Sequence, residues 1–226
     1  NIKTYSAAIS ACERGRNWRG ALALLAEMER VRIDPNVVTF SSAISACEKA
    51  GRWLLSLDLF QEMRCRDAEP NTFTYSALIS ACAGAHFWEL ALGFLAEMRR
   101  HELAPNVVTY SAAMCACQRN WQWQRALHML AEMRSDGLTP NAVSYTVAIS
   151  ACAQGGLWRD ALGMLAEMRG RQATPTAVTY VEAMDVCSHY GPWHLALGLL
   201  TEMQEHGIRH CAVQLGDSDM GLGGQM

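Results

Sequence analysis

The sequence has no apolar run long enough to cross a bilayer. Within its 226 residues, Lys, Arg, Asp or Glu interrupts every hydrophobic stretch short of the ~20 residues that a spanning helix needs. A soluble chain is expected, with no membrane partner. Excess charge is also scarce: 19 Lys and Arg stand against 22 Asp and Glu, a net charge of −3. No overall field draws such a chain to nucleic acid or to an anionic membrane, so any polyanion must be bound by local contacts. A Gly-rich phosphate loop is missing, as are a His-Glu-x-x-His pair and any recurring Ser, His and Asp constellation, and neither an enzyme nor a cofactor site is expected. The 7 histidines are scattered without zinc-site spacing, so no metal is expected either. Secretory disulfide chemistry is not indicated: the 9 cysteines sit in a long, Met-rich chain without a signal sequence and read as free thiols. The chain starts at Asn1 and ends in GDSDMGLGGQM, which reads as a segment of a longer protein carrying a flexible Gly-rich tail over 212–226.

Proline is sparse, 6 in all, but its placement is informative. DPN at Asp34 to Asn36, EPN at Glu69 to Asn71, APN at Ala104 to Asn106, TPN at Thr139 to Asn141 and TPT at Thr174 to Thr176 recur every 35 residues. The same step links Tyr5, Phe40, Tyr75, Tyr110, Tyr145 and Tyr180. It also links Cys12, Cys47, Cys82, Cys117, Cys152 and Cys187, and six of the seven tryptophans, Trp18, Trp53, Trp88, Trp123, Trp158 and Trp193. Six units therefore fill 2–211, as 2–36, 37–71, 72–106, 107–141, 142–176 and 177–211, with no insertion.

Within the second unit, Phe40, Ala43, Ile44 and Cys47 stand at i, i+3, i+4 and i+7, the spacing of one buried helical stripe. After a break at AGR, Trp53, Leu57, Phe60 and Met63 recur at helical spacing until Pro70 forces the chain out of helix. Each unit is thus a helix-turn-helix pair. Two short amphipathic helices cannot bury both apolar faces alone, so successive pairs must stack into an all-α solenoid. On the first helix, Ser41, Ser45 and Lys49 fall roughly in line, as do Ser6, Ser10 and Arg14, and Ser111, Cys115 and Arg119. Stacked rows of this kind predict a groove of small hydroxyl residues edged by scattered positive charge.

A unit of this length running VVTYS, AISAC, a polar break, ALxLLxEM and PN resembles the pentatricopeptide repeat family, with VVTFSSAISACEKAGRWLLSLDLFQEM as the clearest copy. The resemblance implies a right-handed superhelix of helical hairpins and sequence-selective binding of single-stranded RNA, one base per repeat, with no duplex DNA as partner. In that family the fifth and last residues of a unit choose the base and the second packs against it. Carried over, the base-selecting pairs are Ser6 with Asn36, Ser41 with Asn71, Ser76 with Asn106, Ser111 with Asn141, and Thr146 with Thr176. The first four imply adenine and the fifth a purine. Val181 with Cys211 departs from the pattern and marks a terminal cap. The packing residues are Val38, Phe73, Val108, Val143 and Val178, and Arg14, Lys49 and Arg119 stand where the family approaches phosphate. Gly84, Gln154 and His189 replace that charge elsewhere, so modest affinity and a shallow salt dependence are expected. The resemblance also implies an adaptor role in organellar RNA metabolism, in the mitochondrion or chloroplast.

Other readings stand beside these. Asparagine after proline also caps helices, although inside the array the reading role is favoured. The period-35 cysteines fall on the buried stripe, where a free thiol acts as a small hydrophobe. The Glu before each Met, such as Glu62 and Glu97, reads as a solvated helix residue. A protein-interaction solenoid that holds a peptide or helix on its concave face is the alternative function.

Overall fold

A computed structural model describes residues 1–205 and 208. The proposed tail, 212–226, and Cys211 lie outside the described residues. Twelve helices follow one another among them: α1 Ile2–Arg14, α2 Trp18–Arg30, α3 Val37–Lys49, α4 Trp53–Cys65, α5 Thr72–Gly84, α6 Trp88–Arg100, α7 Val107–Arg119, α8 Trp123–Ser135, α9 Ala142–Gln154, α10 Trp158–Gly170, α11 Ala177–Tyr190 and α12 Trp193–Glu205. They pair as six antiparallel hairpins.

Local chemistry sets the helix ends. The proline before each cap keeps the chain extended, and the next side chain accepts the orphan N–H three residues on. Asn36 takes Thr39 N–H at 3.0 Å, Asn71 takes Thr74 N–H at 2.9 Å, Asn106 takes Thr109 N–H at 3.0 Å and Asn141 takes Ser144 N–H at 2.9 Å. The tight turn inside each of the first five hairpins uses a left-handed residue, Gly51 and Gly156 (φ +68° each) in two of them and Arg16, His86 and Trp121 in the others, whereas the sixth turns through an extended Gly191 (φ −118°). Helix-ending bonds such as Asn17 N–H to the Cys12 carbonyl at 2.9 Å hold this geometry.

Stacking follows a simple rule. Each first helix touches the first helices on either side, while each second helix touches its own first helix and the next one. Among the described residues the backbones of successive second helices stay farther apart than those of successive first helices, and only side chains such as Phe60 and Phe94, with ring centroids 5.5 Å apart, meet between them, so the array is wider on that side and bends toward the first helices. The first helices form the inner, concave layer because their contacts are small residues: Ala43, Ala46 and Ser42 are buried in α3, and Ala77 and Ala81 in α5. Between the layers lies a continuous core that includes Ile44, Cys47, Phe60, Met63, Leu78, Leu95 and Met98.

The Glu before the last Met is drawn into contacts between hairpins at Glu97, contrary to the sequence reading, which holds at Glu62. Glu97 has a side chain only 16 % exposed; it accepts from the Tyr75 hydroxyl at 3.3 Å and pairs with Arg64 of the preceding hairpin at 3.2 Å. Tyr145, Glu167 and Arg134 repeat the clasp, as do Tyr180, Glu202 and Arg169. In the fourth hairpin Tyr110 donates to Asp136 instead, while Arg99 reaches both Tyr110 and Glu132. Only where Phe40 replaces tyrosine is there no hydroxyl to capture, and there Glu62 is 41 % exposed and pairs with Arg66 one turn away. The tryptophans pack across the same seams: Trp53 meets Phe87 with ring centroids 4.7 Å apart, and Arg125 lies over Trp88.

Candidate functional site

The concave face carries one motif several times. Val38, Phe73, Val108, Val143 and Val178 project from the first turn of successive inner helices and are between 47 and 61 % exposed. Large apolar side chains left in water at regular intervals are not a core feature, and they divide the face into clefts. Lys3 holds the corresponding place in α1.

The floor of each cleft is a chain of polar groups. Ser41 Oγ donates to the Val37 carbonyl at 2.6 Å and lies 2.7 Å from Thr74 Oγ1, which is 3.0 Å from Asn71 Oδ1. Ser76, Thr109 and Asn106 form the same chain at 2.8 and 3.0 Å, and Ser111, Ser144 and Asn141 repeat it at 2.8 and 3.0 Å. Thr146, Thr179 and Thr176 make it with hydroxyls alone, at 2.9 and 3.0 Å. Residues 30 apart in sequence are therefore brought together through a third that the sequence reading did not single out: Thr74, Thr109, Ser144 or Thr179. The signal for it was available, since a hydroxyl recurs there at the same 35-residue step. The first cleft differs: Ser6 bonds only the Ile2 carbonyl, and Thr39 Oγ1 turns to the Asn36 carbonyl, so Ser6 and Asn36 are not linked.

The two ends of each chain differ in what they offer. Ser41, Ser76 and Ser111 are buried, their hydroxyls committed between helices, whereas the asparagines are exposed. Capping occupies each asparagine oxygen, which leaves the amide nitrogen as the group free to donate. Capping and presentation of a donor thus coexist in one side chain.

Two open cavities occupy the central clefts. One, of about 490 Å³, is walled by Phe73 and Val108 over Ser76 and Asn106, with Lys49 at its edge; the other, of about 430 Å³, lies between Val108 and Val143 over Ser111 and Asn141, with Arg119 at its edge. The charges at these edges are partly spent. Lys49 is held at 2.7 Å by Glu13, which also accepts from Ser45 at 3.1 Å, whereas Arg119 donates to the Ala83 carbonyl at 3.3 Å. Arg14 is exposed.

A second seam explains the odd cysteine. Ser45 meets Glu13, Ser80 donates to Glu48 at 2.7 Å and Ser150 accepts from Gln118 at 2.8 Å, each across one hairpin boundary. In the fourth hairpin the opposing position is Ala83, which offers no hydrogen bond, and there Cys115 stands in place of serine. Burial pushes the thiols of Cys47, Cys82 and Cys117 up to about 11 and that of Cys152 up to about 12, and it raises those of Cys115 and Cys187 as well. These groups stay protonated at neutral pH, which suits packing rather than ligation or nucleophilic attack. Among the described residues, no His, Cys, Asp and Glu group could hold a metal ion and no helix is long and apolar enough to cross a membrane.

Fold and groove together define a helical-hairpin solenoid with a repeated polar cleft on its inner layer. A profile described as the pentatricopeptide repeat domain matches residues 1–50, that of the PPR repeat family matches 35–84 and 105–154, and that of the PPR repeat matches 73–103, 143–172 and 178–208. The chain belongs to the pentatricopeptide repeat family. Among solved structures it is similar to the pentatricopeptide repeat protein PPR10 from maize, with 30 % identity over 92 % of this chain and 30 % of that one, at a TM-score of 0.68. PPR10 in complex with an 18-nt psaJ RNA element is 25 % identical over 92 % of this chain and 34 % of that one, at a TM-score of 0.58. The chain thus spans about a third of the length of these structures. The PPR domain of Arabidopsis thaliana protein-only RNase P 1, in complex with tRNA, shares the fold at a TM-score of 0.71 and 14 % identity, over 83 % of this chain and 98 % of that domain. No curated protein sequence matches the chain significantly.

Proposed function

We propose that the array binds single-stranded RNA along its concave face, one base per hairpin over the units 2–36 to 142–176, as an adaptor without catalytic activity of its own. The observation that carries this reading is the cleft between Phe73 and Val108, where exposed apolar walls stand over the linked pair Ser76 and Asn106. A flat base fits between such walls, and stacking on an aromatic side chain such as Phe73 is worth ~1–3 kcal/mol per base. That a relative of the same family has been solved with a bound RNA element supports the polymer class.

The preferred sequence in this reading is four adenines followed by a purine. Each of the first four clefts offers an amide N–H donor, because capping consumes the oxygen of Asn36, Asn71, Asn106 or Asn141. Adenine presents an acceptor, N1, where guanine presents N1–H, so a donor favours adenine of the two purines. The short hydroxyl below leaves room for the larger ring. Thr176 supplies no amide, and its cleft keeps only the purine preference. Arg14, Lys49 and Arg119 contact phosphate, Lys49 after exchanging Glu13 for it. Few counterions are then released, and the dependence of affinity on salt is shallow. By family resemblance the site of action is a mitochondrion or chloroplast.

Titration of the chain with A-, G-, C- and U-rich single strands of equal length tests the proposal. Tightest binding of the A-rich strand is expected. Equal affinity for all four would remove base reading, and tight binding of none would remove RNA.

A further inference from the structure

The concave face changes character toward its end, across the fourth to sixth hairpins. A cavity of about 370 Å³ there is lined by Gln118, Trp121, Gln154, Glu182, Asp185 and Tyr190 among others. No lysine or arginine lines it. The positions that carry Arg14, Lys49 and Arg119 earlier in the groove carry Gln154 and His189 here, and two carboxylates are added. This end repels phosphate and attracts a cation.

The cavity is also rich in acceptors and in flat surfaces. Gln154 donates through Nε2 to the Gln118 carbonyl at 2.9 Å, while its Oε1 is the sole buried side-chain polar atom among the described residues with no hydrogen bond. An acceptor left so costs ~1–3 kcal/mol, which an arriving donor recovers. Trp121 is 72 % exposed on a left-handed turn residue (φ +59°), and Tyr190 is 61 % exposed. Asp185, 61 % exposed, has His189 as its ion-pair partner at 3.3 Å, a cation only when the ring is protonated. Glu182 is half-buried and shares Ser150 with Gln118.

We propose that this cavity docks an arginine side chain of a protein partner, its planar face against Trp121 or Tyr190 and its N–H groups on Glu182, Asp185 and Gln154. Guanidinium matches the set better than ammonium does: it is planar, stacks on aromatic rings and offers five donors in a fixed fork. The site lies in the same groove as the RNA clefts but does not depend on them, so the array presents a nucleic-acid track at one end and a protein contact at the other.

Calorimetric titration of the whole 226-residue chain with a blocked Gly-Arg-Gly peptide tests this, against the same peptide carrying citrulline, which keeps the shape and loses the charge. One side chain in an open site should bind with a Kd of about 1 mM, and citrulline about tenfold more weakly. Glu182→Gln with Asp185→Asn should weaken arginine binding by about tenfold and Trp121→Ala by about fivefold. If the double variant shifts the melting curve, Asp185→Asn alone, at an exposed residue, carries the test and should still lose severalfold. Equal affinity for arginine and citrulline, no binding at about 10 mM, or variants that bind as wild type would each overturn the proposal. So would an RNA oligomer that displaces the peptide and itself binds more weakly to Glu182→Gln, since the cavity would then belong to the RNA track.

Discussion

Removing Glu97 by Glu97→Ala should cost far more than the same change at Glu62, although the two residues occupy the same place in their units. Glu97 is the acceptor for the Tyr75 hydroxyl, whose ring is 1 % exposed, and truncation leaves that donor buried without a partner. A loss of this kind is worth ~1–3 kcal/mol. The ion pair with Arg64, whose side chain is 58 % exposed, adds at most ~1 kcal/mol. A total of about 1–4 kcal/mol follows. Glu62 faces Phe40 and keeps only solvent-screened contacts with Arg66, so Glu62→Ala should cost about 0.5 kcal/mol or less. Urea unfolding followed by circular dichroism, with hydrogen exchange of α5 and α6 as the local readout, measures both. In a Tyr75→Phe background the effect of Glu97→Ala should shrink by ~1–2 kcal/mol, the coupling of the pair. Equal losses at Glu62 and Glu97, or a coupling near zero, would refute the clasp as a source of stability.

Further outcomes follow from the same contacts. Phe40→Tyr supplies the missing hydroxyl opposite Glu62 and should raise the melting temperature, through a gain of about 0.5–1.5 kcal/mol; an unchanged or lower melting temperature would contradict it. Burial, then Glu97, pushes Tyr75 up to about 12, and burial first also raises Tyr110, Tyr145 and Tyr180. The unfolded chain ionises these phenols near 10, so their contribution is complete below that pH and is lost as pH rises toward 12. Urea midpoints at intervals across that window should fall, more for wild type than for Tyr75→Phe. Asn71→Ala should cost ~1 kcal/mol through loss of the α5 cap, whereas Asn71→Asp, which also caps, should unfold as wild type does.

The hairpin array was legible because one period governs every class of residue: Pro and Asn at the loop, Tyr and Cys on the inner stripe, Trp and Met on the outer helix. The clasp on Glu97 was not, because its partners come from two places, Tyr75 lying 22 residues back and Arg64 in the preceding hairpin, and helix patterning carries no information across that gap. Asn71 looked like a choice between cap and reader, and three-dimensional geometry allows both, the oxygen facing the backbone and the nitrogen left over. The serine rows were expected to line the groove. Ser45, Ser76 and Ser111 do line its cavities, but as a nearly buried floor rather than an exposed row, because helices with Ala and Ser contacts approach closely. Cys115 stood out as half of a Cys-x-Cys pair, yet its meaning lies 32 residues away, at Ala83, where no partner for a hydroxyl exists.

Base reading by the exposed amides is most directly tested by Asn71→Asp together with Asn106→Asp. Both caps survive the change, but each cleft then presents an acceptor in place of a donor. Binding competition among strands differing only at the two facing positions should move preference from adenine to guanine at both, with stability unchanged. Retained adenine preference in a normally folded double variant would contradict the claim that these side chains read the base.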